Sequence, residues 1–139
     1  RLRTVLEFRR VLFRSDFVMA AQSSSGLQIQ VIFIESENIA ASASHEVSKL
    51  GCPAVPLRVL VTVVEWSDLY PSGGSRKGLL PQWQSIVRAH AEIWPHPGWL
   101  GVVVGEWGPD SHLRFYMLAL GPNGEIRDPE ATRVDRYVG

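Results

Sequence analysis

Cysteine and long apolar runs are what this sequence lacks. Cys52 is the only cysteine among 139 residues, and a single cysteine cannot form a disulfide within the chain. This excludes the small secreted domains that disulfides hold together, and in "KLGCPAVP" we expect Cys52 to be a small buried side chain. There is no run of about 18 apolar residues, so the sequence predicts no membrane span. It contains no export signal either, and we expect a cytoplasmic protein.

The sequence also has little excess of charge of either sign. Fourteen lysines and arginines balance 14 aspartates and glutamates, but five of the arginines fall within the first 15 residues. A basic arm or a short amphipathic helix is one interpretation. The segment "LEFRRVLFRS" can, however, be back-translated to CTG GAG TTC AGA CGT GTG CTC TTC CGA TCT, which looks like a common short-read sequencing adapter. We therefore interpret residues 1–15 as non-native and residues 16–139 as a single-domain fragment whose own N-terminus is missing.

Without residues 1–15 the chain is mildly acidic. Five arginines and one glutamate are removed, which leaves 9 basic and 13 acidic residues and a net charge of about −4. No overall basic character then argues for a nucleic-acid partner, and such a partner would have to contact a local patch. The compact basic cluster that remains is Arg76 and Lys77 in "GGSRKG". We predict a flexible loop here, and these two side chains are the first choice for a contact with the DNA backbone.

The first half of the chain has the pattern strand, strand, helix, strand. "DFVMAA" and "LQIQVIFIE" are separated by "QSSSG", which has turn chemistry, and they predict a hairpin. "ASASHEVSKLG" predicts a helix with Ser42 or Ser44 as N-cap and Gly51 at the C′ position. "VPLRVLVTVVEW" is almost entirely apolar and predicts a central strand. The succession of strand, short helix and central strand favours parallel pairing of the two strands.

The second half predicts one longer helix and an antiparallel meander. "LLPQWQSIVRAHAEIW" has apolar residues at helical spacing, among them Trp83 and Trp94. "WLGVVVGEW" and "LRFYMLALG" predict two strands, and "GPNGEI" predicts a further turn. The five tryptophans are expected in the core, and so is His90 on the apolar face of its helix. The whole is predicted to be an α/β fold, with a mixed β-sheet and flanking helices.

Two acidic residues at the end of a buried strand are the strongest indication of a functional site. Glu35 and Glu37 in "VIFIESEN" are two residues apart, so their side chains point to the same face, about 7 Å apart at the backbone. Buried carboxylates are costly without a partner, and Mg²⁺ is one such partner. Asp16 lies 19 residues before Glu35, where a hairpin could bring it alongside. The alternative is that the strand ends at Ile34 and both glutamates are solvated loop residues.

Three carboxylates on adjacent strands suit metal-assisted hydrolysis of a phosphodiester. In this respect the segment "IFIESEN…HEVSKL…PLRVLVTV" resembles the PD-(D/E)xK, or restriction-endonuclease-like, nuclease superfamily, and the resemblance covers roughly residues 16–65. It implies a restriction-endonuclease-like core lacking its N-terminal helix. It also implies that Asp16 and Glu35 are ligands of Mg²⁺ or Mn²⁺.

The resemblance departs from the usual motif at Glu37, which stands where the family usually has lysine. In an E-x-E version of the motif, the resemblance implies that Glu37 binds metal or acts as the catalytic base. Lys49 on the next helix would otherwise supply the catalytic amine. The alternative for Lys49 is a helix-surface lysine that pairs with Glu46 or His45.

The resemblance implies a metal-dependent nuclease that hydrolyses phosphodiester bonds in nucleic acid, with DNA as the first choice. The alternative is a catalytically inactive binding or regulatory module of the same fold, which the missing lysine and the mildly acidic charge favour. A homodimer is compatible with both. A third hypothesis is an unrelated α/β protein in which "ESEN" is a surface loop.

Overall fold

The computed structural model describes residues 2–4, 17–51, 55–95 and 98–136, and in these residues the chain forms seven strands and two helices. Asp16 and Cys52, for which the sequence carries predictions, lie outside the described residues. The elements in chain order are β1 (Leu2–Thr4), β2 (Phe17–Gln22), β3 (Gln28–Glu37), α1 (Ala43–Leu50), β4 (Leu57–Val63), α2 (Arg76–Ile93), β5 (Trp99–Trp107), β6 (His112–Leu120) and β7 (Ile126–Arg136).

All seven strands form one mixed sheet whose spatial order is the chain order. Strands β1, β2 and β3 pair antiparallel, β3, β4 and β5 pair parallel, and β5, β6 and β7 pair antiparallel again. The predicted hairpin, the parallel crossover and the final meander are confirmed, and so is the α/β class with a mixed sheet. Strand β1 lies within the segment that we interpret as non-native, and it forms one edge of the sheet.

The hairpin of β2 and β3 turns at the predicted serine-rich segment. The Ser23 N–H donates to the Leu27 carbonyl (2.8 Å), and the Ser23 hydroxyl accepts from the Leu27 N–H (3.1 Å). Gly26 has a φ of 84°, which glycine adopts without steric strain. The resulting register pairs Phe17 with Ile34, so the beginning of β2 lies beside the part of β3 that precedes Glu35.

Both helices pack on one face of the sheet and contact each other, as expected for two successive right-handed crossovers. Trp66 and Trp83 are fully buried there and stack with their ring centroids 5.6 Å apart. The prediction of core tryptophans is confirmed for these two. It is wrong for Trp94, Trp99 and Trp107, which are exposed because they lie at the end of α2 or on the face of the sheet that the helices do not cover.

Helix α1 ends differently from its prediction. Ser42 occupies the N-cap position, but its hydroxyl donates to the Ile39 carbonyl (2.8 Å) and makes no cap bond to the helix. Gly51 has a φ of −68°, so it is not the left-handed C′ glycine that the sequence predicted. A Cβ at this position would lie 2.5 Å from Nδ1 of His90. The glycine is therefore required by the close approach of the two helices.

Helix α2 begins at Arg76, earlier than the apolar pattern that starts at Leu79. Its first turn is fixed by the segment that follows β4, because the Ser75 N–H donates to the Glu65 carbonyl (2.7 Å) and the Arg76 N–H to the Trp66 carbonyl (3.2 Å). The prediction of a flexible loop for "GGSRKG" is therefore wrong for its last three residues, which are helical. These hydrogen bonds join the helix to another segment of the chain, so the local sequence pattern could not predict where α2 begins.

Candidate functional site

Glu35 lies near the carboxyl end of β3, on the face that the helices cover. Phe33 and Glu35 alternate onto this face, and Glu35 is the register partner of Leu60, which is fully buried. Only 3% of the surface of Glu35 is exposed. Strand β3 continues to Glu37, so the alternative in which it ends at Ile34 and both glutamates are solvated is wrong for Glu35.

Two side chains of α1 contact the buried carboxyl group. Lys49 Nζ lies 3.3 Å from Glu35 Oε2 and 2.5 Å from Glu46 Oε2. Glu46 and Lys49 are three residues apart in the helix, which places them on the same side of it. The carboxyl groups of Glu35 and Glu46 are also close enough to each other to shift each other's pKa. We call these three residues the Glu35–Glu46–Lys49 cluster; in it Lys49 lies beside the predicted acid and also makes the alternative pairing with Glu46.

Burial and the neighbouring carboxyl group determine the protonation of the cluster. Burial first, and then the interaction with the Glu46 carboxyl group, raise the pKa of Glu35 to about 7, and the positive charge of Lys49 opposes this only in part. Burial also acts to raise the pKa of Glu46, but the hydrogen bonds from Lys49 and Glu35 outweigh it and the pKa lies below its ordinary value. Near neutral pH, Glu35 is therefore partly protonated and Glu46 is ionised.

Lys49 remains charged in this environment. Burial alone would lower the pKa of Lys49, but its hydrogen bond to Glu46 and the charges of both glutamates raise it above its ordinary value. The cluster thus combines a carboxyl group that exchanges a proton near neutral pH, an ionised carboxylate and an ammonium group. Such a set can take up or release a proton, orient an anionic substrate, or exchange its proton for a cation.

Glu37, the second predicted acid, makes two local contacts at the end of β3. Its Oε1 accepts a hydrogen bond from the Ile39 N–H (3.0 Å), and its carbonyl accepts one from the Thr62 hydroxyl (2.6 Å). These bonds fix the chain where β3 ends and the loop to α1 begins. The alternation of β3 does place Glu37 on the same face as Glu35, as predicted.

The described residues contain no group of three or more histidine, cysteine, aspartate or glutamate side chains placed to hold a metal ion. Asp16, the third predicted ligand, lies outside them, although its neighbour Phe17 is paired with Ile34, the neighbour of Glu35. The carboxyl groups of Glu35 and Glu46 do fit the chemistry of Mg²⁺, which takes oxygen ligands from one or two carboxylates and keeps several waters.

The predicted DNA contacts, Arg76 and Lys77, begin helix α2 and are both paired with carboxylates. Arg76 Nε lies 2.9 Å from Glu130 Oε2, and Lys77 Nζ lies 3.5 Å from Asp68 Oδ1. Lys77 and Asp68 are both highly exposed, and pairs of this kind contribute little stability, so they open at little cost. Both residues follow β4 in the chain, whereas the Glu35–Glu46–Lys49 cluster belongs to β3 and α1.

Two buried charges were missed by the sequence analysis. Glu106 of β5 is fully buried and accepts hydrogen bonds from the N–H groups of Trp66 and Ser67 (2.7 and 2.6 Å), from the Ser67 hydroxyl (2.8 Å) and from the Tyr116 hydroxyl (3.0 Å). Arg58 of β4 is also buried, which lowers its pKa, and it donates to the carbonyls at the end of α1 and before β5. Each is a single charged residue within an apolar strand segment, and this pattern could have predicted a buried, hydrogen-bonded charge in both cases.

Fold and site together define an α/β protein with a seven-stranded mixed sheet and a buried carboxyl–amine cluster beneath its first helix. Comparison with models of known protein families gives no match, and comparison with curated proteins gives none either. Among the residues that the structure describes, neither helix is long and apolar enough to cross a membrane.

Proposed function

We propose that this chain is a metal-dependent nuclease-like protein that hydrolyses phosphodiester bonds in nucleic acid, with DNA as the first choice of substrate. The observation that carries the proposal is the contact of Lys49 with the buried carboxyl group of Glu35 (3.3 Å), next to the second carboxyl group of Glu46. The hairpin, helix and parallel strand around this contact support the resemblance to the restriction-endonuclease-like core. The assignment to that superfamily is part of the proposal.

In this proposal Glu35 and Glu46 hold Mg²⁺ or Mn²⁺, and Asp16 and Glu37 are the further ligands that the resemblance implies. The metal, when bound, would polarise the phosphoryl oxygen and lower the pKa of a bound water.

Glu35 gives up its proton when the cation enters, because a positive charge favours the ionised carboxylate. Lys49 then orients the scissile phosphate, or assists the attacking water together with Glu37. Arg76 and Lys77 are the proposed contacts to the DNA backbone.

A binding module of the same fold without catalysis is the second candidate, and a specific observation favours it. Lys49 already neutralises the carboxyl groups that a metal would need, and the Glu37 carboxylate is bonded to the Ile39 N–H. In that case the ion pair is a structural element, and the chain would bind its partner without divalent cations.

Calorimetric titration of Mn²⁺ into the whole chain separates the two candidates. We expect Glu35→Gln and Glu46→Gln to weaken Mn²⁺ binding by about tenfold or more, because each removes one of the proposed carboxylate ligands. Glu92→Gln, which changes an exposed glutamate of α2, is the matched control and should bind like the unaltered chain. Cleavage of DNA and RNA in Mg²⁺ should disappear in the same two variants. A folded chain that binds no Mn²⁺ would contradict the nuclease proposal and favour the module.

A further inference from the structure

One face of the sheet is apolar and carries no helix. On β3 to β6, the residues that alternate away from α1 and α2 are apolar or glycine from Ile32 onward, with Ser36 as the exception in this part of the chain. None of them is charged. We call this surface the helix-free face; the strand register aligns its residues in rows that include Ile34, Val59 and Gly101 and, one step further, Val61, Val103 and Met117.

The strand pattern indicates that this face is normally covered. Parallel strands that are apolar on both sides occur almost only where both faces of the sheet are packed against something. Here Trp99 and Trp107 are 40% and 48% exposed, and Val63 is 55% exposed. Contiguous exposed apolar patches larger than a few hundred Å² are rare on monomers and mark interaction sites.

Two glycines of β5, Gly101 and Gly105, lie on this face, and Gly101 is the more exposed of the two. A Cβ at Gly101 would meet its nearest atom, Val59 Cγ2, at 3.6 Å, and a Cβ at Gly105 would meet Val63 Cγ2 at 3.7 Å. These are ordinary van der Waals distances, so packing within the chain does not require glycine at either position. Glycine inside a strand often marks a place where another backbone or a ligand approaches closely.

We propose that the helix-free face is the interface of a homodimer, covered by the same face of a second copy of this chain. The four strands β3 to β6 are together about 19 Å wide, and along β5 the face is about 27 Å long, which gives a footprint on the order of 500 Å². Two such footprints bury about 1,000 Å², the size at which specific interfaces begin.

The chemistry of the face favours a second copy over a charged partner. Because the face carries no charge on β3 to β6, the partner surface must itself be apolar, and the chain offers this same face as such a surface. Dimers with a twofold axis use one patch on both copies. Two apolar sheet faces pack about 10 Å apart, with side chains of one entering gaps of the other. A side chain of the partner packs against the partly exposed backbone at Gly101.

Sedimentation velocity of the whole chain across the micromolar range tests this proposal. We expect a dimer, and we expect Met117→Lys and Gly101→Val each to raise its dissociation constant by about tenfold or more. Ile93→Lys places the same charge on an exposed residue of α2, remote from this face, and should leave the dimer intact. Circular dichroism establishes that each variant is folded.

Gly101→Val keeps the test informative even where Met117→Lys does not fold. Valine is a good strand residue, and its Cβ has room in the single chain, so we expect the monomer to fold while the added methyl groups meet the partner. Two results would overturn the proposal: an unaltered chain that stays monomeric throughout, whatever else covers the face, or a dimer that persists in every folded variant of this face.

Discussion

At the scale of single residues, Glu35 is where the strand pattern and the chemistry conflict. An apolar strand buried beneath a helix has no place for a carboxylate, and Glu35 resolves this by keeping its proton and contacting Glu46 and Lys49. A buried group of this kind is costly to stability and is retained at functional sites. Among the described residues, the Glu35–Glu46–Lys49 cluster is therefore the strongest candidate for a functional site.

The raised pKa of Glu35 predicts a pH dependence of stability. Between its unfolded pKa of about 4.5 and its folded pKa of about 7, the folded chain binds the proton and the unfolded chain does not, so stability falls as pH rises. We expect unaltered chain to lose up to about 3 kcal/mol relative to Glu35→Gln between pH 5 and pH 8. Urea unfolding at both pH values measures this. The same pH difference in Glu35→Gln and unaltered chain would contradict the assignment, and Glu92→Gln is the control.

The sequence predicted the placement of these residues only in part. Alternation along β3 predicted the common face of Glu35 and Glu37, and helical spacing predicted the pairing of Lys49 with Glu46. The contact between Lys49 and Glu35 depends on where α1 crosses β3, which no local pattern specifies. The hydrogen bond from the Ile39 N–H to the Glu37 carboxylate could not be predicted either, because a glutamate at the end of a strand is compatible with a functional site and with a turn.

At the scale of elements, the strands were more predictable than the helix ends. Apolar runs and alternation identified β2 to β6, the hairpin, the first parallel crossover and the final meander, since those signals arise from burial itself. The parallel pairing of β4 with β5 was not predicted. The ends of the helices depend on tertiary contacts. Helix α2 begins early because Ser75 and Arg76 bond to the segment after β4, and Gly51 is required by the ring of His90.

The packing of α1 against α2 predicts opposite effects for two glycines. Gly51→Ala should destabilise the fold by about 1–3 kcal/mol, because its Cβ would lie within 2.7 Å of three His90 ring atoms. Gly78→Ala, inside α2 with no atom near its Cβ, should stabilise by about 0.5–1 kcal/mol. Urea unfolding gives both values. If the steric reason is correct, adding His90→Ala recovers part of the Gly51→Ala loss; equal losses with and without His90 would contradict it.

At the scale of the whole molecule, the helices cover one side of the sheet only. Both crossovers, β3–α1–β4 and β4–α2–β5, run in the same direction across the sheet, so both helices lie on one face. The sequence could not show this directly, since both faces of β4 and β5 are apolar and predict cover on each side. One layer of helices leaves the second apolar face, with Trp99, Trp107 and Met117, for another molecule.

A chain whose second apolar face is covered by its own copy should melt at a temperature that depends on its concentration. Mass action favours the dimer as concentration rises, and a tenfold increase adds about 1.4 kcal/mol per dimer. For two chains of this size we expect the Tm to rise by about 2 °C for that increase. Met117→Lys, which places a charge in the face, should melt at a concentration-independent temperature, whereas Ile93→Lys should behave like the unaltered chain. Scanning calorimetry at two concentrations measures this, and an unaltered chain whose Tm does not change would mean that its stability owes nothing to a second copy.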